Sequence, residues 1–301
     1  MNSTVKPAWG VVVVAAVLAV PACAVSSASP GPARPEPALA SLPLVKSYQD
    51  IHFPLDAYHP SPAEKTTLAR AGDVLVRECM QHYGFDFPLP DRTTAAQPAD
   101  RRIGLVDAAE AARFGYKPAD FDEYAQRVDE AKHKQVKWPA EMLAVLDGTG
   151  AARVNGIDVP KGGCNVEART RAGTAAAGEP GDENFVIRLE QEAGSQAGKD
   201  SRLQAAFAKW SECMAESGFT YRDPWQANND RAFADGKPST QMITTATADV
   251  ACRTREKVNS TWVAVITAYQ NRAITEHQDA LAQHRQKIQS QLTTATQLLD
   301  K

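Results

Sequence analysis

The chain has 301 residues, enough for one large domain or two modest ones, with 43% hydrophobic and only 7% aromatic residues. A formal charge of −3, from 33 Lys and Arg against 36 Asp and Glu, excludes a broadly basic nucleic-acid surface. The alanine-rich, aromatic-poor composition favours helix.

The first 22 residues read as a signal peptide: Lys6 supplies a positive start, residues 8–20 an apolar run, and Val20-Pro21-Ala22-Cys23 a small-residue cleavage region. The run is too short for the roughly 20 apolar residues that cross a bilayer as a helix. Val20-Pro21-Ala22-Cys23 is similar to a lipobox, which makes Cys23 the expected lipidation site and the acyl chains on it the membrane contact. Cleavage by an ordinary signal peptidase leaves a secreted chain instead. Residues 23–46 read as a flexible linker, because Ser29-Pro30-Gly31-Pro32-Ala33-Arg34-Pro35-Glu36-Pro37 lacks apolar surface to bury. At about 3.1 Å per residue such a linker reaches roughly 60 Å from a membrane.

The expected fold is all-α, in two helical units over 47–170 and 184–301, with little or no sheet and a linker at 171–183. In the first unit Ser61-Pro62-Ala63-Glu64 is a capping box with proline at the first helical position. Leu68, Ala71, Leu75, Cys79 and Tyr83 continue it at helical spacing. Shorter helices are predicted over 106–114, begun by Asp107 and Glu110 and closed by Gly115, over 121–135, and over 139–146 before Gly148.

Glu78-Cys79-Met80-Gln81-His82-Tyr83-Gly84-Phe85 aligns without gaps on Glu212-Cys213-Met214-Ala215-Glu216-Ser217-Gly218-Phe219. Both segments read as an amphipathic helix closed by a left-handed glycine, with an aromatic folding back on it. Each is followed by one further cysteine, Cys164 and Cys252. Four cysteines in an exported chain imply disulfides, and their wide spacing argues against a zinc site. The simplest pairing is within each unit, Cys79 with Cys164 and Cys213 with Cys252, and a crossed pairing stays open.

Residues 239–299 contain neither Gly nor Pro. One straight helix of that length would measure about 90 Å, so a break is expected, at the charged run Arg253 to Lys257 followed by Asn259-Ser260-Thr261. Beyond it Trp262, Ile266, Tyr269, Ala273, His277, Leu281, His284, Ile288, Leu292, Ala295 and Leu299 form an apolar stripe. Its distal half either folds back or meets a protein partner on the C-terminal helix.

Chemistry is sparse. His277 and His284 lack the spacing of a metal pair, no hydrolase or redox motif occurs, and no catalytic residue, cofactor or metal is assigned. Asp223, Trp225, Asn229 and Asp230 form a polar loop with one large aromatic, a candidate ligand loop for sugar or calcium without EF-hand spacing. Glu78 and Glu212, each beside a cysteine, are a candidate carboxylate pair.

Taken with the lipobox and linker, Phe53-Pro54-Leu55-Asp56-Ala57-Tyr58, Cys79-Met80 with Gly84-Phe85, Val159-Pro160-Lys161-Gly162-Gly163-Cys164, Trp210 with Cys213-Met214 and Gly218-Phe219, and Ala248-Asp249-Val250-Ala251-Cys252 resemble uncharacterised exported lipoproteins of high-GC Gram-positive bacteria. The resemblance implies location at the outer face of the cell membrane and disulfide bonds, and no activity. The sequence therefore reads as a non-catalytic envelope binding or accessory protein, with an extracellular hydrolase or wall-modifying enzyme as the alternative.

Overall fold

A computed structural model describes residues 34–90, 100–133, 138–173, 184–234 and 237–301. The signal peptide, Cys23 and residues 174–183 of the linker at 171–183 lie outside the described residues. The fold is predominantly helical. Its elements are α1 (Pro62–His82), α2 (Ala108–Phe114), α3 (Phe121–His133), α4 (Ala140–Asp147), β1 (Arg153–Val154), β2 (Ile157–Asp158), α5 (Gly163–Arg171), α6 (Asn184–Ala197), α7 (Ser201–Glu216), α8 (Pro224–Asn228), α9 (Thr240–Arg255), α10 (Val258–Glu276) and α11 (Gln278–Leu299). The two strands form a minimal antiparallel hairpin, turned by Asn155 and Gly156 with φ of 49° and 80°. Positive φ at both central residues is what a two-residue hairpin turn requires.

Helix starts follow the sequence closely. Ser61 accepts the Glu64 N–H and Glu64 accepts the Ser61 N–H, closing the capping box on α1. Asp107 accepts the Glu110 N–H at 2.9 Å and starts α2. The two aligned segments end identically. Phe85 N–H donates to Met80 C=O and Gly84 N–H to Gln81 C=O, while Phe219 N–H donates to Met214 C=O and Gly218 N–H to Ala215 C=O. With φ of 82° at Gly84 and 86° at Gly218, both are Schellman closures, and each places a phenylalanine against the methionine it bonds.

The disulfides are Cys79–Cys164, joining α1 to the first turn of α5, and Cys213–Cys252, joining α7 to the last turn of α9. Both have Cα atoms 5.6 Å apart. On the loop-entropy account, closing loops of 85 and 39 residues contributes about 4.6 and 3.9 kcal/mol, as upper figures.

Three expectations need correction. First, residues 36–46 are not flexible linker: they belong to one compact unit that runs from Glu36 to Lys301. Glu36 accepts the Ser201 N–H and hydroxyl at the start of α7, Pro37 C=O accepts from Arg202, and Leu39 and Val45 pack on the main core. Composition misled because contacts to residues far along the chain, not local apolar density, hold this strap. Second, 47–170 and 184–301 do not pack as separate units. The main core mixes Tyr48, Ile51, Phe53, Ile103, Leu105 and Tyr116 with α7, α9 and α10, and two extensive helix pairings, α1 with α11 and α2 with α9, cross the expected boundary. A smaller core surrounds Cys79–Cys164, with Met80, Tyr83, Met142, Val145 and Val154.

Third, the C-terminal region breaks twice. The first break lies within the expected run, but Lys257 makes it by adopting φ 55°, and Asn259 falls inside α10 instead of capping it. The second is a bend at His277 where the backbone ladder continues, His277 N–H donating to Ala273 C=O and Leu281 N–H to His277 C=O. Beyond it α11 packs along α1, and Leu281, His284 and Ala295 are buried. The distal stripe is thereby covered by the protein itself.

Candidate functional site

Residues 221–233 form a closed surface loop around α8. Asp223 accepts the Gln226 N–H at 2.8 Å and, with Pro224 at the first helical position, starts that helix. Asp230 accepts the Tyr221 hydroxyl at 2.7 Å and the Ala232 N–H at 2.9 Å. Burial, and then the hydrogen bond to Asp230, push the Tyr221 phenol up to about 12, while the Ala232 N–H and the Tyr221 hydroxyl hold Asp230 below the usual carboxylate range. The acids of the loop are therefore engaged in shaping it.

What this shaping presents is Trp225. Its side chain is 40% exposed, and its ring stands edge-to-face on Trp262, with centroids 5.1 Å apart and planes at 89°. Trp262 is fixed from behind by Phe207, 4.9 Å away at 73°. These three rings, with Ile266, line a cleft of about 660 Å³. Gln204, Arg222, Asp223 and Arg102 supply its polar groups, and Gly194 and Gly198 its low wall. This volume lies within the roughly 300–1,000 Å³ of small-molecule sites.

Both cations of the cleft have carboxylate partners. Arg222 Nε donates to Asp223 Oδ2 at 2.9 Å. Arg102 bonds Asp56 through two nitrogens at 2.6 and 2.9 Å, bonds Asp100 as well, and lies over the Phe53 ring. Burial alone would raise the pKa of Asp56, but the Arg102 guanidinium and the Phe53 N–H outweigh it and hold this carboxyl below the usual range.

Of the four loop residues singled out from the sequence, Asp223 and Trp225 line the cleft; Asn229 and Asp230 do not. Glu78 and Glu212 do not form a pair: Glu78 bonds Arg171 at 2.9 Å, and the two flanking cysteines belong to different cores. Among the described residues no group of three or more His, Cys, Asp or Glu side chains is placed to hold a metal ion. Nor is any helix there long and apolar enough to cross a membrane.

Two features escaped sequence reasoning. A second groove, about 630 Å³ and largely aliphatic, lies between α1 and α5, with Gly72 in its wall. Deeper inside, Asp249 and Arg253 form an ion pair at 2.7 Å that is almost wholly enclosed. Asp249 also accepts the Trp210 indole N–H at 2.8 Å, and Arg253 donates to Ile103 C=O and to Asn259 Oδ1. Burial first, and then the Asp249 charge, hold the nearby Tyr116 phenol far above its ordinary range. The i, i+4 spacing on the helix that carries Cys252 was the available signal for this pair.

Comparison of the chain with protein families, with curated proteins and with solved structures finds no match.

Proposed function

We propose that this is an exported, lipid-anchored protein of the cell envelope that binds a small ligand in the Trp225–Trp262 cleft without transforming it. The observation that carries the binding reading is the partly exposed Trp225, held by Trp262 and Phe207 at the mouth of a cleft whose charges are already paired. Catalysis by acid and base would ask for two carboxylates converging on one point. The cleft has Asp223, bonded to Arg222 and capping α8. The export reading is supported by the signal-like start, the lipobox-like Val20-Pro21-Ala22-Cys23 and the engagement of Cys79, Cys164, Cys213 and Cys252 in disulfides, as an oxidising compartment favours.

Growth with an alkynyl fatty acid tests the anchor. The wild-type chain takes up the label and sediments with membranes, whereas Cys23→Ala is unlabelled and released. An unlabelled wild-type chain refutes lipidation, and retention inside the cell refutes export.

A further inference from the structure

We infer that the ligand of the Trp225 cleft is a saccharide, a pyranose unit lying on the open face of Trp225 with its hydroxyl groups toward Arg222, Gln204 and Asp223. This inference rests on the binding reading of the cleft and names the class of compound bound there.

Three observations select the class. The first is ring geometry. Trp225 and Trp262 stand perpendicular to one another, so the two rings do not form a slot between parallel faces. A flat base or aromatic ligand gains most from a slot that covers both its faces. A pyranose needs one face, because its axial C–H bonds form an apolar patch on one side while its hydroxyls project around the rim. The Trp225 indole N–H has no partner among the described residues and is available to a hydroxyl.

The second is charge. Arg222 is paired with Asp223, and Arg102 with Asp56 and Asp100. An anion-binding site would leave such guanidinium groups open for bidentate contact. A neutral polyhydroxylated ligand instead wants donors and acceptors side by side. The cleft provides both: the outer nitrogens of Arg222, whose side chain is 85% exposed, the Asp223 carboxylate, and Gln204 Oε1, whose amide is oriented by its bond from Nε2 to Gly198 C=O.

The third is Gly194. It sits inside α6, where glycine costs about 1 kcal/mol relative to alanine. A Cβ added there would meet nothing within 4 Å, so no neighbour in the fold requires its absence. It lines the cleft, so a large side chain there would take up space that the glycine leaves open.

The test uses the disulfide-bonded chain from residue 24 onward, labelled with 5-fluorotryptophan and followed by fluorine NMR. The Trp225 resonance is identified from Trp225→Phe. Neutral β-linked N-acetylglucosamine and glucose oligosaccharides are titrated, with a nucleoside monophosphate, inorganic phosphate and an aromatic amino-acid amide in parallel. The expected result is a saturable shift of the Trp225 signal with an oligosaccharide and none with the other probes. Gly194→Leu and Trp225→Ala should each weaken binding at least tenfold, while Gly194→Ala leaves thermal stability equal or higher. A shift of Trp225 by a phosphate or aromatic probe but by no saccharide overturns the saccharide assignment and leaves the cleft reading standing. No shift of Trp225 by any probe overturns both. Saccharide binding that survives Gly194→Leu unchanged overturns the placement of the sugar.

Discussion

Removing either partner of the Asp249–Arg253 pair should be among the most damaging conservative changes in the protein. The side chains are 0% and 1% exposed, so neither charge can turn to water when the other is lost. Breaking a buried pair by removing one partner costs about 3–5 kcal/mol. Asp249→Asn retains an oxygen for the Trp210 indole and the Arg253 Nε, and isolates the effect of charge. Arg253→Met roughly preserves the aliphatic volume but leaves Ile103 C=O and Asn259 Oδ1 without this donor.

Each single substitution is therefore expected to cost about 3 kcal/mol or more, a large share of a typical total of 5–15 kcal/mol. The double substitution, which removes both charges, should cost at least 2 kcal/mol less than the sum of the singles. Equilibrium unfolding in urea with the disulfides intact measures this. At a slope of about 3 kcal/mol per molar, each single change shifts the midpoint by roughly 1 M. Single costs below about 1 kcal/mol, or costs that add without coupling, would refute the view that the two charges depend on one another.

Gly163→Ala is expected to destabilise by about 2–4 kcal/mol, from left-handed backbone strain together with overpacking. Its φ is 67°, and a Cβ there would overlap Gly148 N and the Val145 and Leu146 carbonyl oxygens where α4 crosses α5; an unchanged urea midpoint would contradict that close approach. At high pH, Tyr221 favours the fold in its neutral form. Because its pKa rises from 10.0 to about 12 on folding, its contribution is complete below pH 10 and is lost as pH climbs toward 12. Unfolding midpoints measured across that window should fall less steeply for Tyr221→Phe than for the wild type, and parallel slopes would remove Tyr221 from the alkaline transition.

The parts legible in the sequence are those settled over a few residues. The Ser61 box, the Asp107 cap and the paired Gly84 and Gly218 closures each need only a polar side chain or a permissive backbone within one helical turn. What was misread depends on distant partners. Pro37 and Leu39 look like linker until Arg202 and the core are in place. Lys257 adopts a left-handed conformation that no glycine announces, and the turn it makes brings Asn259 back onto Arg253. Arg253 itself reads as part of a charged, solvated run, because four of five residues from 253 to 257 carry charge and only the burial of Asp249 explains it. The Asn155-Gly156 turn did carry a signal, but its strands are two residues each, too short for alternation to show.

The candidate site repeats this division between local and distant information. Trp225 and its acids stand together in the sequence, and by themselves they fit calcium or sugar equally well. In the fold, Asp230 closes the loop through Tyr221, and Asp223 starts α8 and holds Arg222. Asp230 is thus taken up by the loop, and the groups that line the cleft are the Trp225 indole, the Arg222 guanidinium, the Gln204 amide and the Asp223 carboxylate, whose oxygens each keep a lone pair to accept with. The wall that gives them depth comes from Phe207 of α7 and Trp262 of α10, 18 residues before and 37 residues after Trp225. The Cys213–Cys252 bridge ties α7 to α9, and Lys257 turns α9 into α10, so one covalent link and one strained residue set the distance between the two halves of the cleft. The glycan-binding reading thus draws on the same long-range packing that keeps the site out of view in the sequence, and Gly194, which no packing contact explains, is the residue that tests where the sugar lies.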